Sequence, residues 1–139
     1  MTSGEIPIVT DFEKVGEDYL LTQINGEIIK DDFSDDRFLI IKTDQGLVVL
    51  GCAHRCLINS LLHAKNVGND DRIHTVIGGC HLVDAANERI MKTVEALKEL
   101  DVQRVGVSHC TGPRAAAIMA HELGERFFFN MVGTRVHLP

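Results

Sequence analysis

The chain has 139 residues, 45% of them hydrophobic and 24% charged, a composition that fits one globular domain and excludes disordered, collagenous and coiled-coil classes. Its 14 Lys and Arg against 20 Asp and Glu give a net charge of -6, which argues against a general grip on nucleic-acid phosphates. No apolar run approaches the ~20 residues of a membrane span. The opening Met1-Thr2-Ser3-Gly4-Glu5 lacks a secretory pattern, so the expected setting is the cytoplasm, with reduced thiols and no membrane partner.

The expected organisation is a single domain over 1–139, with a β-hairpin region at 1–36 and an α/β region at 37–139. Short apolar runs at Ile6–Val9, Tyr19–Ile24 and Glu27–Ile29 are separated by Val15-Gly16 and Asn25-Gly26. Asn25-Gly26 between two β-rich runs signals a type I′ hairpin. An acidic loop with Asp31, Asp32, Asp35 and Asp36 follows. It reads as a solvated turn, or as a source of a carboxylate reaching a metal or substrate. Arg37–Thr43 and Leu47–Gly51, joined through Asp44-Gln45-Gly46, predict a second hairpin whose continuous apolar character suggests cover on both faces.

The apolar spacing of Leu57, Ile58, Leu61 and Ala64 predicts a helix from about Arg55 to Val67, with Gly68 at its C-terminal cap. A strand follows at Ile73–Ile77. Asp84 is a candidate N-cap for a second helix carrying Ile90, Met91, Val94, Leu97 and Leu100, with Glu88 and Lys92 paired on its wet side. Val102–Val107 reads as a strand. Pro113 opens a third helix that runs to Leu123 and stops at Gly124. Arg126–Met131 and Arg135–Leu138 close the chain as two short strands. Strand and helix alternate here, which defines an α/β sheet.

His54, His81 and His109 each follow the carboxyl end of a predicted strand, next to small residues. Ligand crevices of α/β sheets form at those ends. Three imidazoles on one rim suit zinc or iron, although a single histidine at such a place is more often a hydrogen-bonded structural residue. His63, His74, His121 and His137 lie within predicted helices and strands and read as structural or solvent-facing. Cys80, adjoining His81, is preferred over Cys52 as a further ligand. Walker, Rossmann, nucleophile-elbow and HExxH patterns are all missing from the sequence.

The segments Leu47-Val48-Val49-Leu50-Gly51-Cys52-Ala53-His54-Arg55, Ile77-Gly78-Gly79-Cys80-His81-Leu82 and Ser108-His109-Cys110-Thr111-Gly112, with the closing Val132-Gly133-Thr134-Arg135-Val136, resemble the metallo-β-lactamase-fold hydrolases. The branch they resemble includes the dihydropterin-linked aminobenzene-phosphate synthase-like proteins. The resemblance implies the C-terminal half of an αββα sandwich: a mixed sheet with helices on one face and metals at one edge. It implies His54 and His109 as metal ligands. His81 falls where many members carry a bridging Asp, so it is a ligand or a substrate contact. The resemblance implies Thr111 and Gly112 as shapers of the loop after the last histidine, and Cys80 remains a further binding residue in reserve. The fold's principal motif, His-x-His-x-Asp-His, does not occur in this sequence.

A half sandwich leaves one sheet face uncovered, and the expected cover is a second copy in a homodimer or a complementary N-terminal-half chain. Three functional readings follow. The first is a metal-dependent hydrolase-like subunit, with zinc, iron or manganese, that acts on a small molecule only when assembled; its catalytic residues stay unassigned. The second is a non-catalytic binding or scaffold remnant of that fold. The third is a Cys/His metal or redox site in its own right.

Overall fold

The structure, a computed structural model, describes residues 1–15 and 21–138. Asn25-Gly26 turns the chain between β1 (Leu21–Ile24) and β2 (Glu27–Lys30), with both turn residues at positive φ, 52° and 87°, as a type I′ turn requires. Tyr19, Leu20 and Gly16, part of the expected N-terminal pattern, lie outside the described residues. Ile6–Val9 forms no strand. Ile6 instead packs into the main core with no exposed surface.

The main sheet has five strands in the order β3 (Leu39–Thr43), β4 (Gly46–Gly51), β5 (Ile73–Gly78), β6 (Arg104–Val107) and β7 (Phe127–Phe129). β3 is antiparallel to β4, and every other pairing is parallel. The parallel pairs are linked by α1 (Leu57–Gly68), α2 (Asn87–Glu99) and α3 (Pro113–Leu123). Right-handed crossovers between strands laid down in sequential order put all three helices on the same face. The row Ile40, Val49, Val76, Val105 and Phe127, in register across the five strands, packs toward them in the core.

The next row, Leu39, Leu50, Ile77, Gly106 and Phe128, belongs to the opposite face. There Leu39 is 54% exposed, and Ile41, two residues on, is 40% exposed. β4 is buried as its sequence suggests, but β3 is not. Being an edge strand, it buries Ile40 and presents Leu39 and Ile41 outward.

Three other local expectations need correction. Gly68 is the last residue of α1, and Asn69, left-handed at φ 47°, supplies the cap. Asp84 lies in the turn ahead of α2, whose N-cap is Ala86. Residues 135–138 form no strand; the chain turns after β7 and runs back irregularly. The third helix starts at Pro113 and is capped at Gly124 as expected.

A contribution from the N-terminal segment is not visible in any periodicity. Glu13, buried, accepts hydrogen bonds from the backbone N–H of Ile58 (2.9 Å) and Asn59 (2.8 Å), two orphan donors of the first turn of α1. Arg55, also buried, donates to the carbonyls of Ile6 (2.7 Å) and Asp32 (3.0 Å) and to the carboxylate of Glu5 (2.9 Å). These bonds fasten residues 5–13 and the acidic loop against the end of the sheet where β4 stops.

Candidate metal centre

Register places the site. Gly51, Gly78, Val107 and Phe129 stand side by side at the carboxyl ends of four parallel strands. The loops that follow therefore share one rim. Glycine is required at 78: with φ 144°, a Cβ there would collide with the Gly51 carbonyl of the neighbouring strand.

His54, His81 and His109 do meet at this rim, around Cys52. The rings of His54 and His81 have centroids 4.3 Å apart. Cys52 Sγ lies 2.9 Å from His109 Nε2 and 3.5 Å from Cys110 Sγ. Two groups of ligand atoms, Cys52–His54–His81 and Cys52–His109–Cys110, each fall within 4.8 Å of one another, and Cys52 belongs to both. Ser108 Oγ sits 3.0 Å from His109 Nδ1 and orients that ring. Phe33, from the acidic loop, lies against His54 at 5.0 Å between ring centroids.

The backbone explains which side chains face the rim. Ala53, Cys56 and His81 all have positive φ, at 50°, 73° and 49°. Three non-glycine residues in this sparsely populated region within two neighbouring loops mark a constrained site. Around the bend at His81, Cys80 packs into the core, 3% exposed, while His81 stays half-buried beside His54. Cys80 is thus outside both ligand groups, and Cys52 and Cys110 are the cysteines that the fold brings to the histidines.

Thr111 and Gly112 brace the rim. The Thr111 hydroxyl accepts from the Cys80 backbone N–H at 3.1 Å, and Gly112, at φ 75°, lets the chain pass against Val83. With His109, Phe129 and Met131 they also line an open pocket of about 240 Å³. His63, His74, His121 and His137 stay away from the rim. His63 Nε2 contacts the Ser3 carbonyl at 2.9 Å, and His74 Nδ1 the Thr75 hydroxyl at 2.7 Å.

Burial, followed by the Cys110 thiol, pushes the Cys52 thiol up to about 12, so without a cation it holds its proton. Burial also raises Cys80 to about 12. His81 is pushed below its ordinary value by burial and then by His54, which favours the neutral ring that binds metals. Asp36 stands near this cluster and accepts from the Arg55 backbone N–H at 3.0 Å.

Two features fit an ion. His54 Nδ1 is buried with no hydrogen-bond partner among the described residues. Gly79 opens the space between the donors: a Cβ there would collide with Cys110 Sγ and come within 2.9 Å of His109 Nε2 and 3.1 Å of Cys52 Sγ. Imidazole and thiolate donors suit zinc or iron; manganese prefers oxygen.

The chain is similar to proteins larger than itself. A crystal structure of a metal-dependent hydrolase of the β-lactamase superfamily superposes with a TM-score of 0.79 at 37% identity, over 85% of this chain and 46% of that one. The chain carries about half of a β-lactamase-superfamily hydrolase fold. A 7,8-dihydropterin-6-methyl-4-(β-D-ribofuranosyl)-aminobenzene-5′-phosphate synthase of Methanocaldococcus jannaschii is 36% identical over 118 residues, 84% of this chain and 40% of the synthase. An uncharacterized protein of the same organism is 31% identical over 115 residues, 83% of this chain and 41% of that protein. The chain thus spans about two-fifths of the length of the curated relatives it matches. The branch indicated by the three histidine segments is the one represented by the synthase. No family model matches the chain. Among the described residues, no helix is long and apolar enough to cross a membrane.

Proposed function

We propose that this chain is one half of a metal-dependent hydrolase of the β-lactamase superfamily, acting on a small molecule in the cytoplasm once a second chain completes its sandwich. The observation that carries the reading is the convergence of His54, His81 and His109 around Cys52 on the rim of the parallel strands. His54 and His81 with Cys52, or His109 with Cys52 and Cys110, would hold the ion, and the nitrogen and sulfur donors suit zinc or iron over manganese. When bound, such an ion supplies Lewis-acid chemistry, polarising an oxygen of the substrate and acidifying water. The chain itself contributes orientation. Ser108 fixes the His109 ring, Phe33 walls His54, and the Thr111–Gly112 loop shapes the adjoining pocket.

Completion by a second chain is supported by the apolar side chains left exposed on the edge strand and the hairpin, although Val48 and Thr75 at the middle of the sheet face bearing Ile41 are buried. Leu39 and Ile41 on the open sheet face, and Leu21, Ile24 and Ile28 on the N-terminal hairpin, are all at least 40% exposed. Exposed apolar side chains grouped on a strand edge and a hairpin favour association. The partner is a second copy of the chain or a chain bearing the His-x-His-x-Asp-His half.

The test is to assay phosphodiester, ester and lactam hydrolysis by the zinc-loaded chain, alone over a concentration series and mixed with an N-terminal half taken from a full-length relative. Activity that appears on assembly and disappears with His54→Ala and His109→Ala supports the proposal. An assembled, zinc-treated complex that binds no metal and hydrolyses none of these bonds refutes it and leaves a scaffold remnant.

A further inference from the structure

We propose that Cys52, His109 and Cys110 form a soft-metal subsite in which two thiolates and one imidazole grip a zinc-class ion. This rests on reading the rim as a metal centre and names the side chains that dominate its affinity. The three donors come from the ends of the two strands that flank β5 in the parallel sheet: Cys52 directly follows β4, and His109 and Cys110 follow β6. Gly79, directly after β5 between them, contributes no side chain to the space they enclose.

The spacing suits one ion. Tetrahedral zinc, with Zn–S of about 2.3 Å and Zn–N of about 2.0 Å, sets two thiolates about 3.8 Å apart and a thiolate and imidazole about 3.5 Å apart. Here the sulfurs are 3.5 Å apart and Cys52 Sγ is 2.9 Å from His109 Nε2. Entry of an ion requires the sulfur pair to part by about 0.3 Å and the Cys52–His109 pair by about 0.6 Å. His109 and Cys110 head a short turn and Cys52 an irregular loop, so no strand pairing need break. Binding releases the two thiol protons to solvent, and each sulfur donates a lone pair to the ion.

The reading separates from the alternative in which these thiols are ordinary half-buried side chains that only touch each other. Soft thiolate ligands select zinc-class ions over manganese or magnesium. Cys52 is also the one donor shared with the His54–His81 group, so an ion held here has imidazoles on a second side.

The experiment is cobalt substitution of the reduced, metal-free full chain, read by absorption spectroscopy together with a count of protons released. The expected result is a thiolate-to-cobalt charge-transfer band in the near ultraviolet, with about two protons released per ion. Cys110→Ser should about halve that band, and either Cys52→Ser or Cys110→Ser should weaken cobalt binding by more than about tenfold, the lower range seen even for residues that merely support a ligand. His54→Ala should leave the band in place. Circular dichroism establishes that each variant is folded, and a variant that fails this check is replaced by the corresponding Cys→Ala. Cobalt bound without a charge-transfer band, and lost with His54→Ala, overturns this inference while leaving the histidine centre standing. A band that survives while hydrolysis never appears in any assembly overturns the hydrolase reading alone. Absence of any cobalt binding overturns both.

Discussion

Replacing Gly79 with alanine adds one methyl group in the middle of the rim. A Cβ at this position would collide with Cys110 Sγ and approach His109 Nε2 to 2.9 Å and Cys52 Sγ to 3.1 Å. Overpacking of this kind costs about 1–3 kcal/mol of stability. The added atom also occupies the space through which the donors would face an ion. If about 1.4–2.8 kcal/mol of the crowding falls on the bound state alone, zinc affinity drops roughly 10- to 100-fold. Gly106→Ala is the matched control. Its Cβ would meet the Phe128 ring on the other sheet face, so it should lower stability and leave metal affinity unchanged. Competition titration with a chromogenic chelator reads the affinity, and urea unfolding reads the stability. Wild-type affinity in a folded Gly79→Ala variant would show that the ion does not sit among Cys52, His109 and Cys110.

Other outcomes follow from the anchoring of the N-terminal segment and from the open face. Arg55→Ala should cost about 2–3 kcal/mol in urea unfolding, because it strips hydrogen bonds from the Ile6 and Asp32 carbonyls and from Glu5. Burial raises the Glu13 carboxyl above its ordinary 4.5 despite the two backbone bonds, so the native state binds this proton more tightly than the unfolded chain. Its contribution to stability is then fully present below pH 4.5 and falls as pH rises through the native value. The difference in unfolding free energy between the wild type and Glu13→Gln, followed from pH 3 to 7, should therefore move in favour of the variant with rising pH. Ile41→Glu, on the exposed side of β3, should abolish any self-association seen by light scattering while shifting the thermal midpoint little.

Much of the α/β body is legible in the sequence because its signals are local. Leu47–Leu50 is continuously apolar, as a strand buried in a parallel sheet must be, and Pro113 and Gly124 punctuate the last helix. The N-terminal hairpin is legible for the same reason, from two residues of turn chemistry. Neither the anchoring by Glu13 and Arg55 nor the exposure of β3 can be read in that way. The former depends on single side chains bonding across more than forty positions, and the latter on a place at the edge of the sheet that periodicity does not encode.

The site divides likewise. Three histidines at equivalent strand ends are visible as a pattern, and the fold does bring them together. The choice between cysteines is not visible, because it depends on left-handed backbone at Ala53 and His81, residue types that carry no turn signal. A clue was present in Gly79, which lies ahead of Cys80 and His81 and faces the Cys52 and Cys110 sulfurs. Leu39 and Ile41 stay exposed at the edge strand of a chain that matches about half of the similar hydrolase, which is the surface the proposed second chain would cover.

The most direct measurement is an anomalous-difference map, collected at the zinc edge, from crystals of the reduced chain grown with zinc. One peak at the ends of β4 and β6, within bonding distance of Cys52 and His109, is the expected result. A fully zinc-saturated crystal whose only peaks lie on surface histidines such as His121 or His137 would contradict the rim as a metal centre.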